Sequence, residues 1–292
     1  MITQNKPNWV NNPRKWIWML VGFIIIEKFL ENGILVPVLL KLPFGDLTSN
    51  ILYKGIEVLL VLVLNIWLIK QKLYFSVNVT LKTTLFFLFG IVYISLFISS
   101  GPVKLLPPII LWTLLTAISE ELLFRGVIFG DLFKRLTQRH LTKWNVSIAI
   151  GLSSLLFSLQ HLSNLVNQSL LDTVCQMIET FGMGILLAAA YVRTGSLITT
   201  IFTHFLLDFP ILYLSQFSTN TASAAVVPGN VSVIASVVVA MAYSCIGLIV
   251  IRSNILDNQL PLLTCVSKDE RIEPKSAVNT VYSRKFGVVV TV

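Results

Sequence analysis

The chain has 292 residues, of which 55% are hydrophobic and only 12% charged, and its mean hydropathy is +0.80. A soluble domain carries about 25% charged residues, so a soluble globular protein is excluded and a polytopic membrane protein is indicated. The formal charge of +8 does not point to nucleic acid, because the basic residues sit mainly between apolar segments and no basic helix is interleaved with aromatics. Membrane topology and attraction to anionic lipid account for it.

Taken along the chain, eight apolar segments predict spans at 17–39, 51–69, 83–100, 105–132, 145–162, 173–192, 196–214 and 231–251. Lipid offers irregular backbone no hydrogen-bond partners, and the alternation of a membrane barrel is absent. The expected fold is therefore all-α, a polytopic membrane helical bundle of about eight transmembrane helices. The first segment follows Arg14 and Lys15, is long, and lacks a clear small-residue cleavage site, so it reads as a retained span and not a signal peptide. Glu27, Lys28 and Glu31 interrupt it, and it is expected to bend or to lie partly at the interface. Pro107 and Pro108 fall in the first turns of the fourth segment, where missing backbone donors cost least.

With the N-terminus in the cytoplasm, twelve Lys or Arg residues flanking the segments fall on the cytoplasmic side, and only Lys41, Lys54 and Lys104 on the other. That asymmetry predicts both termini inside. The chain divides into N-terminal membrane helices (1–104), a membrane core (105–251) and a cytoplasmic, partly disordered tail (252–292). The connections 163–171 and 215–230 are polar and carry no visible chemistry. Cys175, Cys245 and Cys265 form neither a disulfide framework nor a thiolate metal motif.

Three segments hold polar groups that anchoring does not need. Each costs about 2.5–3.5 kcal/mol on insertion scales unless it is paired or faces a cavity. The fourth reads Ser119-Glu120-Glu121-Leu122-Leu123-Phe124-Arg125-Gly126. Glu121 and Arg125, four apart, share a helix face and predict a charge-compensating pair. Glu120 is rotated by about a quarter-turn, a position from which it can face a different partner. The fifth ends Phe157-Ser-Leu-Gln160-His161; the seventh holds His204-Phe-Leu-Leu-Asp208, where the carboxylate can orient the imidazole. Taken singly, these are an ion network, an interfacial histidine and a helix-stabilising pair. Taken together, with two of the chain's three histidines inside spans, they predict convergence on one internal cavity.

Glu and His around a confined water suit peptide hydrolysis. The Glu takes the water's proton, one His holds the water or protonates the leaving amine, and a second His with Asp polarises the carbonyl. The same Glu120, His161, His204 and Asp208 are also candidate zinc ligands, since zinc-bound water is nucleophilic near neutral pH. Neither HExxH nor a paired-aspartate motif occurs, so spacing leaves the cofactor open between none and zinc. Two other functions use similar groups: a non-enzymatic scaffold or bacteriocin self-immunity protein keeping the ion network, and a proton-coupled transporter. No inverted repeat or broken helix pair supports the transporter.

Glu120-Glu121-x-x-x-Arg125, Phe157-x-x-x-His161 and His204-x-x-x-Asp208, in order and in separate spans, resemble the three motifs of the CPBP family. That family comprises CAAX-prenyl-protease-like (Rce1/Abi type) intramembrane proteases and bacteriocin-processing or immunity proteins, and the likeness spans roughly residues 105–215. The resemblance implies a catalytic core with Glu120 as the water-activating residue, His161 as its partner, and His204 with Asp208 in oxyanion stabilisation. Glu121, Arg125 and Phe157 would support them. The family's last motif often ends in Asn; the anionic Asp208 is a poor oxyanion donor and would have to be protonated or work through His204. Family members are described both as metalloproteases and as metal-independent glutamate proteases. The resemblance further implies an endopeptidase whose partners are the bilayer and a hydrophobic, lipidated or membrane-anchored peptide. Eukaryotic relatives cut the last three residues from prenylated proteins, and bacterial relatives are linked to peptide maturation or self-immunity. The Lys- and Asn-rich loops look bacterial, so a multi-pass protein of a bacterial plasma membrane is expected.

Overall fold

In lipid a backbone must satisfy its own hydrogen bonds, and every regular element among the described residues is a helix. The computed structural model describes residues 13–98, 102–137, 142–218, 229–252 and 262. Helix α1 (Pro13–Leu30) passes through a π-helical stretch, Glu31–Leu35, into the short α2 (Val36–Leu39). The charges of this first segment therefore do not end the helix. Glu27 and Glu31 are buried, turned towards the protein and away from lipid. Next come α3 (Asp46–Leu64), continued as π-helix over Asn65–Ile69, and α4 (Leu81–Ile98).

The central element is long. A 3-10 turn, Val103–Leu105, leads into α5 (Leu106–Glu121), a π-helical stretch Leu122–Phe129, and α6 (Gly130–Thr137). Pro107 and Pro108 sit in the first turn of α5, as their missing N–H groups favour. The helix α7 (Lys143–Leu159) starts at Thr142, whose hydroxyl accepts the Asn145 amide at 3.1 Å, and tightens into 3-10 helix over Gln160–Val166. That tightening shortens the connection expected at 163–171. Then follow α8 (Leu170–Thr194), closed by left-handed Gly195, α9 (Leu197–Ser218) and α10 (Gly229–Arg252).

All eight predicted segments are helical, and six of the helices are long and apolar enough to cross a membrane. The other two are the first, which carries the charges, and α4, whose apolar stretch Leu81–Phe97 is shorter. The connection expected at 215–230 is described only at its helix ends. Of the tail beyond Arg252, only Leu262 is described, buried in the core; Cys265 lies outside the described residues.

Helices in lipid gain nothing from burying apolar surface against one another, so small residues and interhelical hydrogen bonds hold the bundle. Helix α8 lies against α7 and α10, while α5 lies against α3 and α9. At Gly182 an added Cβ would come within 2.4 Å of the Ala240 carbonyl oxygen, and at Gly184 within 2.9 Å of Ser154 Cα. Hydrogen at those positions is what lets α8 approach α10 and α7 so closely. Ser158 donates to the Met177 carbonyl at 2.6 Å, and Ser153 donates to the carbonyl of Phe124, inside the π-helical stretch, at 3.2 Å. The start of α9 is fixed separately, by the Leu197 amide on the Tyr74 carbonyl at 2.8 Å.

Candidate active site

The polar groups of α5 divide at the point where the α-helix gives way to π-helix, a feature common at functional sites. Glu121 and Arg125 are both fully buried, and the Arg125 Nη1 donates to Glu121 Oε1 at 2.8 Å. Arg125 Nη2 also points at the Gly184 carbonyl at 3.5 Å. Its guanidinium lies 4.2 Å from the centre of the Phe157 ring, stacked as a cation on an aromatic face. The expected pair is present, and it is one part of a larger assembly.

His204 on α9 completes that assembly. Its Nδ1 is 2.8 Å from Glu121 Oε1, the oxygen that also accepts from Arg125. Its Nε2 is 3.0 Å from Asp208 Oδ2, one turn along the same helix. Each ring nitrogen faces a carboxylate oxygen, and a carboxylate only accepts, so the imidazolium form satisfies both contacts. Asp208 thus touches the imidazole that the spacing assigned to it. The second carboxylate on the ring, Glu121, was assigned only to Arg125.

Glu120 turns the other way. Its Oε2 is 3.8 Å from His204 Nε2, and its Oε1 is 3.4 Å from Lys54 Nζ on α3. Glu120, His161, His204 and Asp208 line one cavity of about 390 Å³, whereas Glu121 and Arg125 stand behind its wall. His161, in the first turn of the 3-10 helix after α7, has its Nδ1 3.0 Å from the Phe157 carbonyl, which leaves Nε2 for the cavity. Fully buried Phe157 is the wedge between these groups. Its ring meets those of His161 and His204 edge-on at centroid distances of 5.5 and 5.9 Å.

The far wall of the cavity comes from the N-terminal helices: Lys28, Glu31, Tyr53, Lys54 and Glu57. Lys54 is largely withdrawn into the bundle and pairs with Glu57 Oε2 at 2.8 Å as well as with Glu120. The positive charge expected on the side opposite the cytoplasm is therefore an internal partner. The segment boundary explains the difference, since α3 begins at Asp46 and Lys54 lies two turns inside it. Lys54-x-x-Glu57 in an apolar run carried the signal, as an i, i+3 pair.

The candidate metal ligands meet a geometric test. His204 has both nitrogens on carboxylates and offers no lone pair to an ion. Among the described residues, the group of three His, Cys, Asp or Glu whose ligand atoms lie within 4.8 Å of one another is Glu27, Glu31 and Glu57, and not the predicted four. That buried cluster could coordinate a metal ion through oxygen alone. Two ammonium groups already share it: Lys28 bonds Glu31 and lies 3.5 Å from Glu27, and Lys54 holds Glu57. Tyr53 donates to Glu31 in the same cluster.

No curated protein and no solved structure matches the chain. The segment 102–210, which holds Glu120, Glu121, Arg125, Phe157, His161, His204 and Asp208, matches the family model described as Type II CAAX prenyl endopeptidase Rce1-like, so a CPBP/Rce1-like domain covers that part of the chain and leaves α1–α4 and α10 outside it.

Proposed function

We propose that the protein is an intramembrane endopeptidase that hydrolyses a peptide bond in a hydrophobic, lipidated or membrane-anchored peptide. The observation that carries this reading is the meeting of Glu120, His161, His204 and Asp208, from three separate helical segments, at one cavity inside an apolar bundle. In this reading Glu120 takes a proton from a water in the cavity, and the resulting hydroxide adds to the scissile carbonyl. The His204 imidazolium stabilises the oxyanion, with Asp208 and Glu121 fixing its ring. The proton then reaches the leaving amine through His161, which releases the two peptide fragments. Glu121, Arg125 and Phe157 hold the frame. Zinc would supply a more acidic water, but with both His204 nitrogens on carboxylates only Glu120, His161 and Asp208 would be left to hold it, and no step here depends on it.

The proposed setting is a cell membrane crossed eight times, with both termini in the cytoplasm. The charge asymmetry supports this, and it sharpens to twelve against two once Lys54 is counted as internal. The test is a comparison of purified wild type and E120A in proteoliposomes. Each receives a farnesylated peptide ending in a CAAX sequence and unlipidated single-span peptides, with products identified by mass. Wild type should release fragments and E120A none, while both remain in the membrane. Equal product from the two, or none from either, refutes the reading. Repeating the wild-type assay after chelation and zinc replacement separates water activation by glutamate alone from metal-assisted chemistry.

A further inference from the structure

We propose that Lys54 is a positioning residue for Glu120, anchored by Glu57, so that a helix outside the matched segment completes the candidate active site. The inference rests on the peptidase reading for its meaning and on geometry for its support. Lys54 Nζ bridges two carboxylates on different helices, Glu57 Oε2 at 2.8 Å and Glu120 Oε1 at 3.4 Å. Glu57 is nearly completely buried and stands one turn along α3 from the lysine. It holds a side chain that would otherwise sample many rotamers.

The consequence falls on the two oxygens of Glu120. Lys54 takes Oε1 from one side, while Oε2 faces the His204 ring at 3.8 Å. A carboxylate on a flexible side chain is thereby fixed about its last torsion, with one oxygen committed to the ammonium and the other presented to the reacting centre. Glu57 already gives Lys54 a partner at the shorter distance, so the contact to Glu120 is a second one made by the same ammonium. The contact to Glu120 crosses from α3 to α5, and both residues line the same cavity.

The experiment uses K54M, K54R and K54Q beside wild type and E120A in full-length protein, with two readouts. In the first, the proteoliposome peptide that wild type cuts is used for kinetics. Displacement of Glu120 is expected to lower kcat of K54M by roughly 10- to 100-fold with KM unchanged, and K54R should recover part of the loss. In the second, the purified proteins are treated with dicyclohexylcarbodiimide and labelling of Glu120 is read by mass spectrometry. An ion-paired carboxylate resists this reagent and an unpaired carboxyl in an apolar site reacts, so K54M should label several-fold faster than wild type and K54R should not. If K54M fails to fold, K54Q takes its place in both. Wild-type kcat in K54M, a loss confined to KM, or unchanged labelling of Glu120 overturns the inference. If no peptide is cut by wild type, the peptidase reading fails by itself, and labelling still decides whether Lys54 holds Glu120.

Discussion

His204 Nδ1 lies 2.8 Å from Glu121 Oε1, although 83 residues separate them in sequence. The same oxygen accepts from Arg125 Nη1 at 2.8 Å, so one buried atom joins α5, its π-helical continuation and α9. A charge in hydrocarbon is tolerated when it is paired, and Glu121 sets one oxygen, Oε1, against two cations while Oε2 is buried without a hydrogen-bond partner. The arrangement makes Glu121 the structural hub and frees Glu120, one residue earlier, to face the cavity.

Replacing Arg125 should therefore be costly. R125M leaves Glu121 and His204 in a buried cluster without its main cation, a change expected to destabilise by roughly 3–5 kcal/mol. R125K should not restore stability, because an ammonium cannot meet Glu121, the Gly184 carbonyl and the Phe157 face together. Thermal unfolding in detergent measures both, and wild-type stability in R125K would contradict the assignment.

Asp208 is expected to act through His204. D208N keeps an oxygen for the imidazole Nε2–H and adds amide donors, so it should stay folded and retain activity within about tenfold of wild type. D208A removes the partner, lets the ring turn, and should lose about 100-fold in kcat. Peptide cleavage by the two variants checks this; equal losses would show that the acceptor oxygen is not what matters.

The helical bundle was legible in the sequence because lipid enforces it: apolar length and the absence of strand alternation leave one backbone form. The Glu121–Arg125 and His204–Asp208 pairs were legible for a related reason, since helical periodicity places i and i+4 on one face. Contacts between helices are outside the reach of periodicity. Neither Glu121 with His204 nor Lys54 with Glu120 follows from any spacing, because both depend on how α3, α5 and α9 pack. Glu27, Lys28 and Glu31 were visible as interruptions, and their meaning was not. They read as a bend or an interface; the π-helical stretch does begin at Glu31, and the three also belong to an ionic cluster that reaches the cavity's far wall through Lys28 and Glu31.

Phe157 should prove a packing residue with a catalytic consequence. F157A opens a void among Arg125, His161 and His204 and is expected to cost roughly 3–5 kcal/mol. F157L fills most of that space and loses chiefly the aromatic face under the guanidinium, for about 0.5–2 kcal/mol. Unfolding midpoints of the two, measured alongside peptide cleavage, give the order. An F157L variant as unstable as F157A would mean that the cation–aromatic contact, and not volume, dominates.

The approach of α8 to α10 gives a test of the bundle that does not involve the site's chemistry. At Gly182 an added Cβ would stand 2.4 Å from the Ala240 carbonyl oxygen and 2.5 Å from its Cα, both backbone atoms that no rotamer change can move. G182A must separate the two helices and is expected to cost about 1–3 kcal/mol. Gly151, on α7, has nothing within 4 Å of the same atom, so G151A should be neutral or should gain up to about 1 kcal/mol from the better helix former. The pair is compared by thermal unfolding in one detergent. Matching losses at both positions would mean that α8 and α10 are not packed backbone to backbone at Gly182, and a loss at Gly182 alone would establish that they are.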